Sequence, residues 1–229
     1  MLTNEMKGIL SEAAPAGWLM EPQVKKLLGL AGIDVTRFIW TDDVGEATGF
    51  ASSIGYPVVA KIVSPKVLHK SDIGGVEIGI IDNEGLTRAF EKFRSIDGFA
   101  GVLVEETLKG MEIIAGAKMD HQFGPVLLLG TGGTAVDIYK DVALRMMPVR
   151  QEDIRSMIAG LKAHPLLTGY RGADPVNMEK LTDLLVRFSG LIMDLGDLIT
   201  SVDLNPVICS PSRCVVADGR IILKSTARL

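Results

Sequence analysis

One short stretch of the chain combines a lysine, a histidine and paired glycines, which together suit the handling of phosphate. The apolar run Val58–Ala60 ends in Lys61, and a polar loop then carries His69 and the pair Gly74-Gly75. A strand end can present the lysine to an anion, and glycines let backbone N–H groups close around oxygen atoms. An imidazole can also carry a phosphoryl group covalently. The stretch from Lys61 to Val76 therefore predicts a phosphate-binding loop with a candidate nucleophile.

Lys61 and His69 also have plainer interpretations. Lys61 could form a salt bridge with Glu77 or Asp72, since a charge at the end of an apolar strand is costly without a partner. His69 alone would more often be a surface residue of a loop, although an acidic neighbour such as Asp72 could fix its imidazole tautomer. Spacing alone leaves both interpretations open.

Oxygen-bearing residues near the end of the sequence suggest a metal site. In a strand, Asp203 and Asn205 project from the same face, and Asp218 at the end of the returning strand could add a carboxylate. Such ligands suit Mg²⁺, which binds a few protein oxygens together with phosphates and water. The alternative is a polar strand face that is closed by a turn.

Three further places could contact a nucleotide. Glu105-Glu106 closes a strand and could contact adenine or ribose, or it could be a solvated strand end. Glu112 could reach a ribose hydroxyl or pair with Lys118 or Lys109. The run Gly130–Thr134 is a second loop that suits an anion, although no Gly-Lys-Ser/Thr of the Walker pattern follows it. The chain also lacks the G-x-S-x-G and H-E-x-x-H motifs of other enzyme classes.

The composition is that of a globular protein without a general affinity for polyanions. The 229 residues are 47% hydrophobic and carry a net charge of −4, so we expect neither nucleic acid nor a membrane as a partner. No apolar run approaches the roughly 18 residues needed to span a bilayer, and the first residues lack the apolar core of a signal peptide. A cytoplasmic location is therefore expected.

Cys209 and Cys214 could face each other across a hairpin, and we expect both to be reduced and buried. His121 and His164 are expected to be structural or surface residues.

Helices and strands alternate in the first half of the chain, and strands dominate after Gly98. Helices are predicted over residues 4–13, 21–30, 152–161 and 178–195. Two more helices are predicted after capping residues: one follows a cap at 41–43 and runs to residue 54, and the other follows a cap at Asn83 and ends near residue 95. Strands are predicted over 33–40, 58–62, 76–81, 102–105, 112–118, 126–129, 201–209, 214–217 and 221–223. We expect an N-terminal helical extension at 1–17, one lobe with the phosphate loop at 18–99, and a second lobe with the metal site at 100–229.

Six stretches of the sequence are specific enough to suggest a family. They are Gly55–Lys61, His69–Val76, Phe123–Val126, Lys140–Arg145, Pro165–Gly172 and Asp203–Val207. In this order they resemble the ATP-grasp superfamily, and more narrowly the β subunit of the ADP-forming acyl-CoA synthetases (acetate–CoA ligases). The resemblance extends from about Trp18 to Leu223. It implies an α/β (α+β) ATP-grasp fold of two lobes with the nucleotide site in the cleft between them.

The same resemblance implies roles for individual residues. His69 would shuttle a phosphoryl group to ADP, and Lys25 matches a family lysine without a clear role. The nucleotide-binding residues that it implies are Lys61, Gly74, Gly75 and Val76 at the phosphates, Glu106 near the adenine, Glu112 at the ribose and Arg145 near the phosphates. The residues that it implies for magnesium are Asn205 and Asp218, with Asp203 close by.

The implied reaction is acyl-CoA + ADP + phosphate ⇌ carboxylic acid + CoA + ATP, with ATP or ADP and Mg²⁺ as cofactors. The family's CoA-binding region and first phosphohistidine are expected in a separate α subunit, which would bind acyl-CoA and the carboxylate and complete a heterotetramer. Two alternatives stay open. One is an ATP-grasp ligase that acts through a free acyl-phosphate without a phosphohistidine, and the other is a nucleotide-sensing subunit without catalysis.

Overall fold

The computed structural model describes residues 1–67, 69–133 and 141–225 of the chain. This part of the chain has the predicted mixed α/β character. The helices are α1 (Asn4–Ala13), α2 (Glu21–Leu30), α3 (Val44–Ile54), α4 (Asn83–Arg94), α5 (Gln151–Gly160), α6 (His164–Leu167) and α7 (Met178–Leu195). The strands are β1 (Trp18–Leu19), β2 (Phe38–Thr41), β3 (Val58–Ile62), β4 (Val76–Ile80), β5 (Val102–Glu106), β6 (Met111–Asp120), β7 (Gly124–Thr131), β8 (Val142–Met146), β9 (Ile199–Cys209), β10 (Cys214–Val216) and β11 (Gly219–Leu223).

The chain divides into two compact units. The large unit is Met1–Val35 with Lys109–Leu229, and the small unit is Thr36–Leu108. Residues 18–35, which we expected in the first lobe, lie in the large unit because β1 pairs with β11. Strand β5, which we expected in the second lobe, lies in the small unit because it pairs with both β2 and β3. The small unit is therefore an insertion into the large one.

The small unit is a four-stranded antiparallel sheet with two helices packed against it. The strand order is β2-β5-β3-β4. Helix α4 packs on β3 and β4 and repeats Leu86, Phe90 and Phe93 toward the core, the spacing of one helical face. The carboxylate of Asp82 accepts the N–H of Gly85 at 2.7 Å, so Asp82, and not the predicted Asn83, is the N-cap of α4.

The large unit is built on a seven-stranded antiparallel sheet. Its order is β1-β11-β9-β6-β7-β8, and β10 pairs with β9. Helices α1, α2, α5 and α7 contribute to the core cluster formed with these strands. Leu181, Leu185, Phe188 and Ile192 of α7 are buried at helical spacing, and the Asn177 side chain caps this helix. The predicted bounds of α2, α7 and β3 agree with the structure.

Several local predictions differ from the structure. The predicted strand at 33–40 reduces to β2, because Val35 makes only an isolated bridge with Val216 of the large unit. Strand β8 and the short elements β1 and α6 were not predicted. Val142, Leu144 and Met146 of β8 alternate along the strand but remain exposed, so this edge strand lacks a strong burial signal.

The prediction that both cysteines are reduced and buried is confirmed. Cys209 and Cys214 are directly opposite each other in the β9–β10 pair, and both are free and buried. A hydrogen bond with Cys214 and burial raise the pKa of the Cys209 thiol above its ordinary value, which favours the protonated form. Among the described residues, no helix has the length and apolar character needed to cross a membrane.

Candidate functional site

Lys61 is buried in the small unit and lies against a carboxylate. Its Nζ is 2.7 Å from Oε1 of Glu105, and the two side chains are 9% and 3% exposed. Lys61 faces Leu103 in the β3–β5 register, so Glu105, two residues further, is its diagonal neighbour. The Thr36 hydroxyl donates a hydrogen bond to the other oxygen of Glu105. The sequence had suggested Glu77 or Asp72 as the partner, whereas Glu105 holds this position.

The loop that carries His69 is closed by its own backbone. His69 is exposed, and a short 3-10 helix follows at Ser71–Ile73. Gly74 ends that helix with φ +65° and donates its N–H to the Ser71 carbonyl at 3.2 Å. The N–H of Gly75 donates to the Lys70 carbonyl at 2.8 Å. Both glycine N–H groups therefore donate within the loop, which differs from the expected cradle around phosphate oxygens.

Gly75 is required by a close approach between the loop and β3. Its carbonyl accepts the N–H of Ile62 at 2.8 Å. A Cβ on Gly75 would lie 2.6 Å from Cγ2 of Ile62 and 3.0 Å from the Lys70 carbonyl oxygen. The next residue, Val76, is directly opposite Lys61 in the β3–β4 pair. The loop thus returns to the sheet beside the lysine.

Glu105 and Glu106 are buried, so the interpretation of this pair as a solvated strand end is wrong. Glu106 is 7% exposed, and its carboxylate accepts the backbone N–H of Arg37 at 3.0 Å. The Arg37 guanidinium adds hydrogen bonds to Glu106 of 3.3 and 3.2 Å. The carboxylate of Glu106 is therefore occupied by Arg37 and fixes the end of β5.

A cavity of about 860 Å³ in the large unit brings three of the predicted site residues together. Asp203 and Asn205 of β9 and Arg145 of β8 line it. Its remaining wall is mainly apolar and comes from β6, β7, β8 and the β6–β7 turn. The principal apolar side chains are Ile114, Phe123, Leu128, Val142, Leu144 and Met146. The arrangement offers an apolar surface with oxygen ligands and a guanidinium at one site.

Two of these cavity residues have defined electrostatic surroundings. Burial raises the pKa of Asp203 above its ordinary value, while Arg220, directly opposite on β11, acts to lower it. A cation beside Asp203 would favour the ionised carboxylate. Nη2 of Arg145 lies 3.4 Å from Oγ of Ser156 on α5, so a weak hydrogen bond ties the guanidinium to that helix.

Asn205 and Asp218 are brought together by the backbone. The N–H of Asn205 donates to the carbonyl of Asp218 at 3.1 Å. Oδ1 of Asp218 accepts the N–H of Gly219 at 2.7 Å. Carboxylate and amide oxygens are the donors that Mg²⁺ prefers, so the set of Asp203, Asn205 and Asp218 fits this ion chemically. Within the described ranges, no group of three or more His, Cys, Asp or Glu side chains is arranged to hold a metal.

Glu112 lies at the second glycine-rich loop. It is exposed on β6, and its carbonyl accepts the N–H of Gly132 at 2.7 Å. A Cβ on Gly132 would lie 2.7 Å from Cβ of Glu112, so this contact requires a glycine. The last residue of the predicted loop Gly130–Thr134 lies outside the described residues. The structure therefore joins two predicted features, the loop and Glu112, that the sequence had treated separately.

Comparisons with known proteins agree with this architecture. The ATP-grasp domain family matches residues 11–223. The β subunit of acetate–CoA ligase (ADP-forming) I from Pyrococcus furiosus is 40% identical over 213 residues, which cover 90% of this chain and 91% of the relative. The chain belongs to the ATP-grasp family. The resemblance inferred from its motifs, including the narrower one to ADP-forming ligase β subunits, is confirmed.

Two of the solved structures similar to this ATP-grasp chain come from Ca. Korarchaeum cryptofilum. A dinucleotide-forming acetyl-coenzyme A synthetase 1, in complex with coenzyme A, Ca-AMPCP and HgCl⁺, has a TM-score of 0.88 and 38% identity, covering 95% of this chain and 99% of that chain. A second structure of that enzyme, with coenzyme A and Mg-AMPPCP, has a phosphohistidine segment pointing towards the nucleotide-binding site. Its TM-score is 0.84 with 38% identity, covering 96% of this chain and 100% of that chain.

This ATP-grasp chain also contains polar residues that the sequence did not single out as a set. Thr36 and Arg37 precede β2 and hold Glu105 and Glu106 through hydrogen bonds across the small unit. Glu21 of α2 lies 3.4 Å from the buried Nζ of Lys25. A usable signal was present, because charged residues within apolar strands or on an apolar helix face require partners. The sequence does not reveal which partners they are.

Proposed function

We propose that this chain is the nucleotide-binding subunit of an ADP-forming acyl-CoA synthetase. The reaction is acyl-CoA + ADP + phosphate = carboxylate + CoA + ATP. The observation that carries the proposal is the apolar cavity with Asp203, Asn205 and Arg145, in a chain of the ATP-grasp family. A CoA-binding α subunit binds acyl-CoA and the carboxylate, and the two subunit types form a cytoplasmic heterotetramer. The name of the Pyrococcus furiosus β subunit supports the need for a partner.

Several residues of this chain bind the nucleotide. Gly74, Gly75 and Val76 shape the loop beside the phosphates, and Lys61 binds the phosphates, because an ammonium donates charge-assisted hydrogen bonds to phosphate oxygens. Its pairing with Glu105 orients that ammonium. Arg145 adds charge at the phosphates, and Glu112 meets the ribose. Glu106 acts near the adenine by fixing the end of β5, since Arg37 already occupies its carboxylate.

Asp203, Asn205 and Asp218 hold Mg²⁺. When bound, the ion neutralises charge on the phosphates. The three residues supply oxygen donors from β9 and from the link that precedes β11. Their backbone contact between Asn205 and Asp218 keeps two of the donors adjacent before any ligand arrives. Preorganisation of this kind lowers the ordering cost of binding.

His69 is the transient phosphoryl carrier. An imidazole nitrogen of His69 attacks the phosphorus of the phosphohistidine of the partner subunit, and a new P–N bond forms as the P–N bond of that donor breaks. A β-phosphate oxygen of ADP then attacks the same phosphorus, the P–N bond breaks, and ATP leaves with the imidazole restored. The exposed position of His69 on its loop is consistent with access from two partners.

The purified chain tests this assignment by running the last step in reverse. Incubation with γ-labelled ATP and Mg²⁺ is expected to give an acid-labile, base-stable label that His69→Ala abolishes. His121→Ala is the matched control, because His121 is an exposed histidine on the β6–β7 turn, and it should keep the label. With the CoA-binding subunit present, His69→Ala should reduce acyl-CoA-dependent ATP formation on the order of 10³-fold or more.

The alternatives predict different results in the same assays. Wild-type ATP formation by His69→Ala would remove the carrier role and favour a ligase that acts through a free acyl-phosphate. ATP binding by calorimetry without turnover alongside the CoA-binding subunit would favour a nucleotide-sensing subunit.

A further inference from the structure

Lys25 of α2 is a fully buried charged residue of the large unit, and it lies close to the proposed metal ligands. Its side chain is 0% exposed, and Nζ donates a hydrogen bond to the Ala217 carbonyl at 2.8 Å. Glu21, one turn earlier, is 3.4 Å away and balances the charge. A buried lysine is costly, and an apolar pair of similar size is often as stable as an ion pair. Stability alone therefore gives a weak reason for this pair.

The carbonyl that Lys25 contacts belongs to the short link between β10 and β11. Ala217 and Asp218 form this link and lie outside both strands. The N–H of Ala217 donates to the Pro206 carbonyl at 2.9 Å, and the N–H of Asn205 donates to the Asp218 carbonyl at 3.1 Å. The position of the link thus fixes both Asp218 and the segment that carries Asn205.

A second contact holds the start of this link from the same side. The N–H of Val216 donates at 2.9 Å to the carbonyl of Asp34, in the segment that follows α2. Hydrogen bonds from Asp34 and Lys25 therefore hold two consecutive residues, Val216 and Ala217. Because Glu21 neutralises the ammonium locally, Lys25 acts on the link through its hydrogen bond and not through a long-range field.

We propose that Lys25 is a positioning residue for the metal ligands Asp218 and Asn205. Its ammonium fixes the Ala217 carbonyl, and the link then presents the two ligands at a set separation. This inference rests on the proposed function, since it requires these residues to hold Mg²⁺. Groups that orient metal ligands without touching the metal typically change metal affinity 10–100-fold when they are replaced.

Calorimetric titration with ADP, with and without Mg²⁺, tests the proposal. The variants are Lys25→Met and Glu21→Gln/Lys25→Met, and the second avoids leaving an uncompensated buried carboxylate. Lys26→Met is the matched control, because Lys26 is the adjacent lysine on α2 and its side chain is 58% exposed. We expect the enhancement of ADP affinity by Mg²⁺ to fall at least about 10-fold in both Lys25 variants. ADP affinity without metal and the behaviour of Lys26→Met should stay within about 2-fold of wild type.

Two other outcomes overturn the proposal and can be told apart. If Glu21→Gln/Lys25→Met keeps the wild-type metal enhancement, Lys25 is only structural, whatever happens to its melting temperature. If the wild-type chain binds ADP but shows no enhancement by Mg²⁺, the proposed metal site itself is wrong. If the wild-type chain does not bind ADP at all, the proposed function fails.

Discussion

Each unit of the molecule contains a buried lysine–glutamate pair, and the two pairs are built differently. In the small unit, Lys61 and Glu105 lie on neighbouring strands with Nζ and Oε1 2.7 Å apart. In the large unit, Glu21 and Lys25 lie one turn apart on a single helix with a separation of 3.4 Å. The position of Lys61 at a strand end suggested a phosphate ligand from the sequence alone, whereas the sequence suggested no role for Lys25.

The difference lies in what surrounds each lysine–glutamate pair. Lys25 donates to the backbone carbonyl of Ala217, so its effect passes to neighbouring residues through the main chain. The Lys61 pair is bordered by a side-chain hydroxyl, that of Thr36, and by the loop that carries His69. One lysine therefore suits direct contact with a ligand, and the other suits positioning. A buried charge does not by itself identify which of these it does.

The largest effect is expected from Lys61→Met. This change leaves Glu105 buried without its ammonium, and loss of one partner of a buried pair typically costs about 3–5 kcal/mol. The free energy of unfolding, measured by urea denaturation, should fall by about that amount. Nucleotide binding should be lost as well, because the proposed phosphate contact is removed.

Glu105→Gln/Lys61→Met separates the two effects of that change. A neutral pair should recover most of the lost stability but none of the nucleotide affinity. Recovery of both would show that Lys61 is a structural residue, which would make it equivalent to Lys25 and end the contrast between the units.

A smaller effect is expected from Gly75→Ala in the loop of the small unit. The new Cβ would lie 2.6 Å from Cγ2 of the buried Ile62 and 3.0 Å from the Lys70 carbonyl oxygen. Overpacking of this kind costs about 1–3 kcal/mol. Labelling of His69 from ATP should slow, because the loop no longer returns to β3 in the same way.

Gly49→Ala is the matched control for Gly75→Ala. Gly49 lies in α3 of the same unit, and a Cβ there would meet nothing within 4 Å. Replacement should be neutral or stabilise the fold by up to about 1 kcal/mol. If Gly75→Ala behaves like Gly49→Ala in both stability and labelling, the close approach of the loop to β3 has no role in phosphoryl transfer.

The sequence predicts elements well where local spacing decides the structure. Helix α7 combines an Asn177 cap with apolar residues at helical spacing, so its bounds could be predicted without tertiary information. Strand β8 could not, because its alternating apolar residues stay exposed at the edge of the sheet. The boundaries of the units also depend on pairing between distant strands, such as β1 with β11, which local patterns do not contain.

The same distinction holds for the site. Lys61, Asp203 and Asn205 were recognisable because residue type and strand position suffice to suggest a ligand. The partners of these side chains could not be predicted from the sequence. Glu105, for example, lies beside Lys61 because of the register between β3 and β5. The loop glycines were expected to surround phosphate oxygens with their N–H groups, but these groups donate to the Lys70 and Ser71 carbonyls. This hydrogen bonding depends on the folded conformation of the loop, which the sequence does not reveal.

The smallest effect on stability is expected from Asp203→Asn, and its sign should oppose that of Lys61→Met. Burial raises the folded-state pKa of Asp203, so the ionised carboxylate is disfavoured in the fold, with Arg220 as a partial offset. The contribution of this group is therefore most favourable at low pH. It is lost as pH rises from its ordinary pKa of 3.8 through the raised folded value.

At pH 7, Asp203→Asn should therefore stabilise the fold slightly, by less than about 1 kcal/mol, because the Asp203 side chain is only partly removed from solvent. The gain should disappear when urea denaturation is repeated below the ordinary pKa, while the Mg²⁺ enhancement of ADP binding should be lost at pH 7. A loss of stability at pH 7 would mean that pairing with Arg220 outweighs burial. Asp203 would then be a structural partner of Arg220, as Glu105 is of Lys61. Both units would then contain a carboxylate that is stabilised by a cationic side chain on a neighbouring strand.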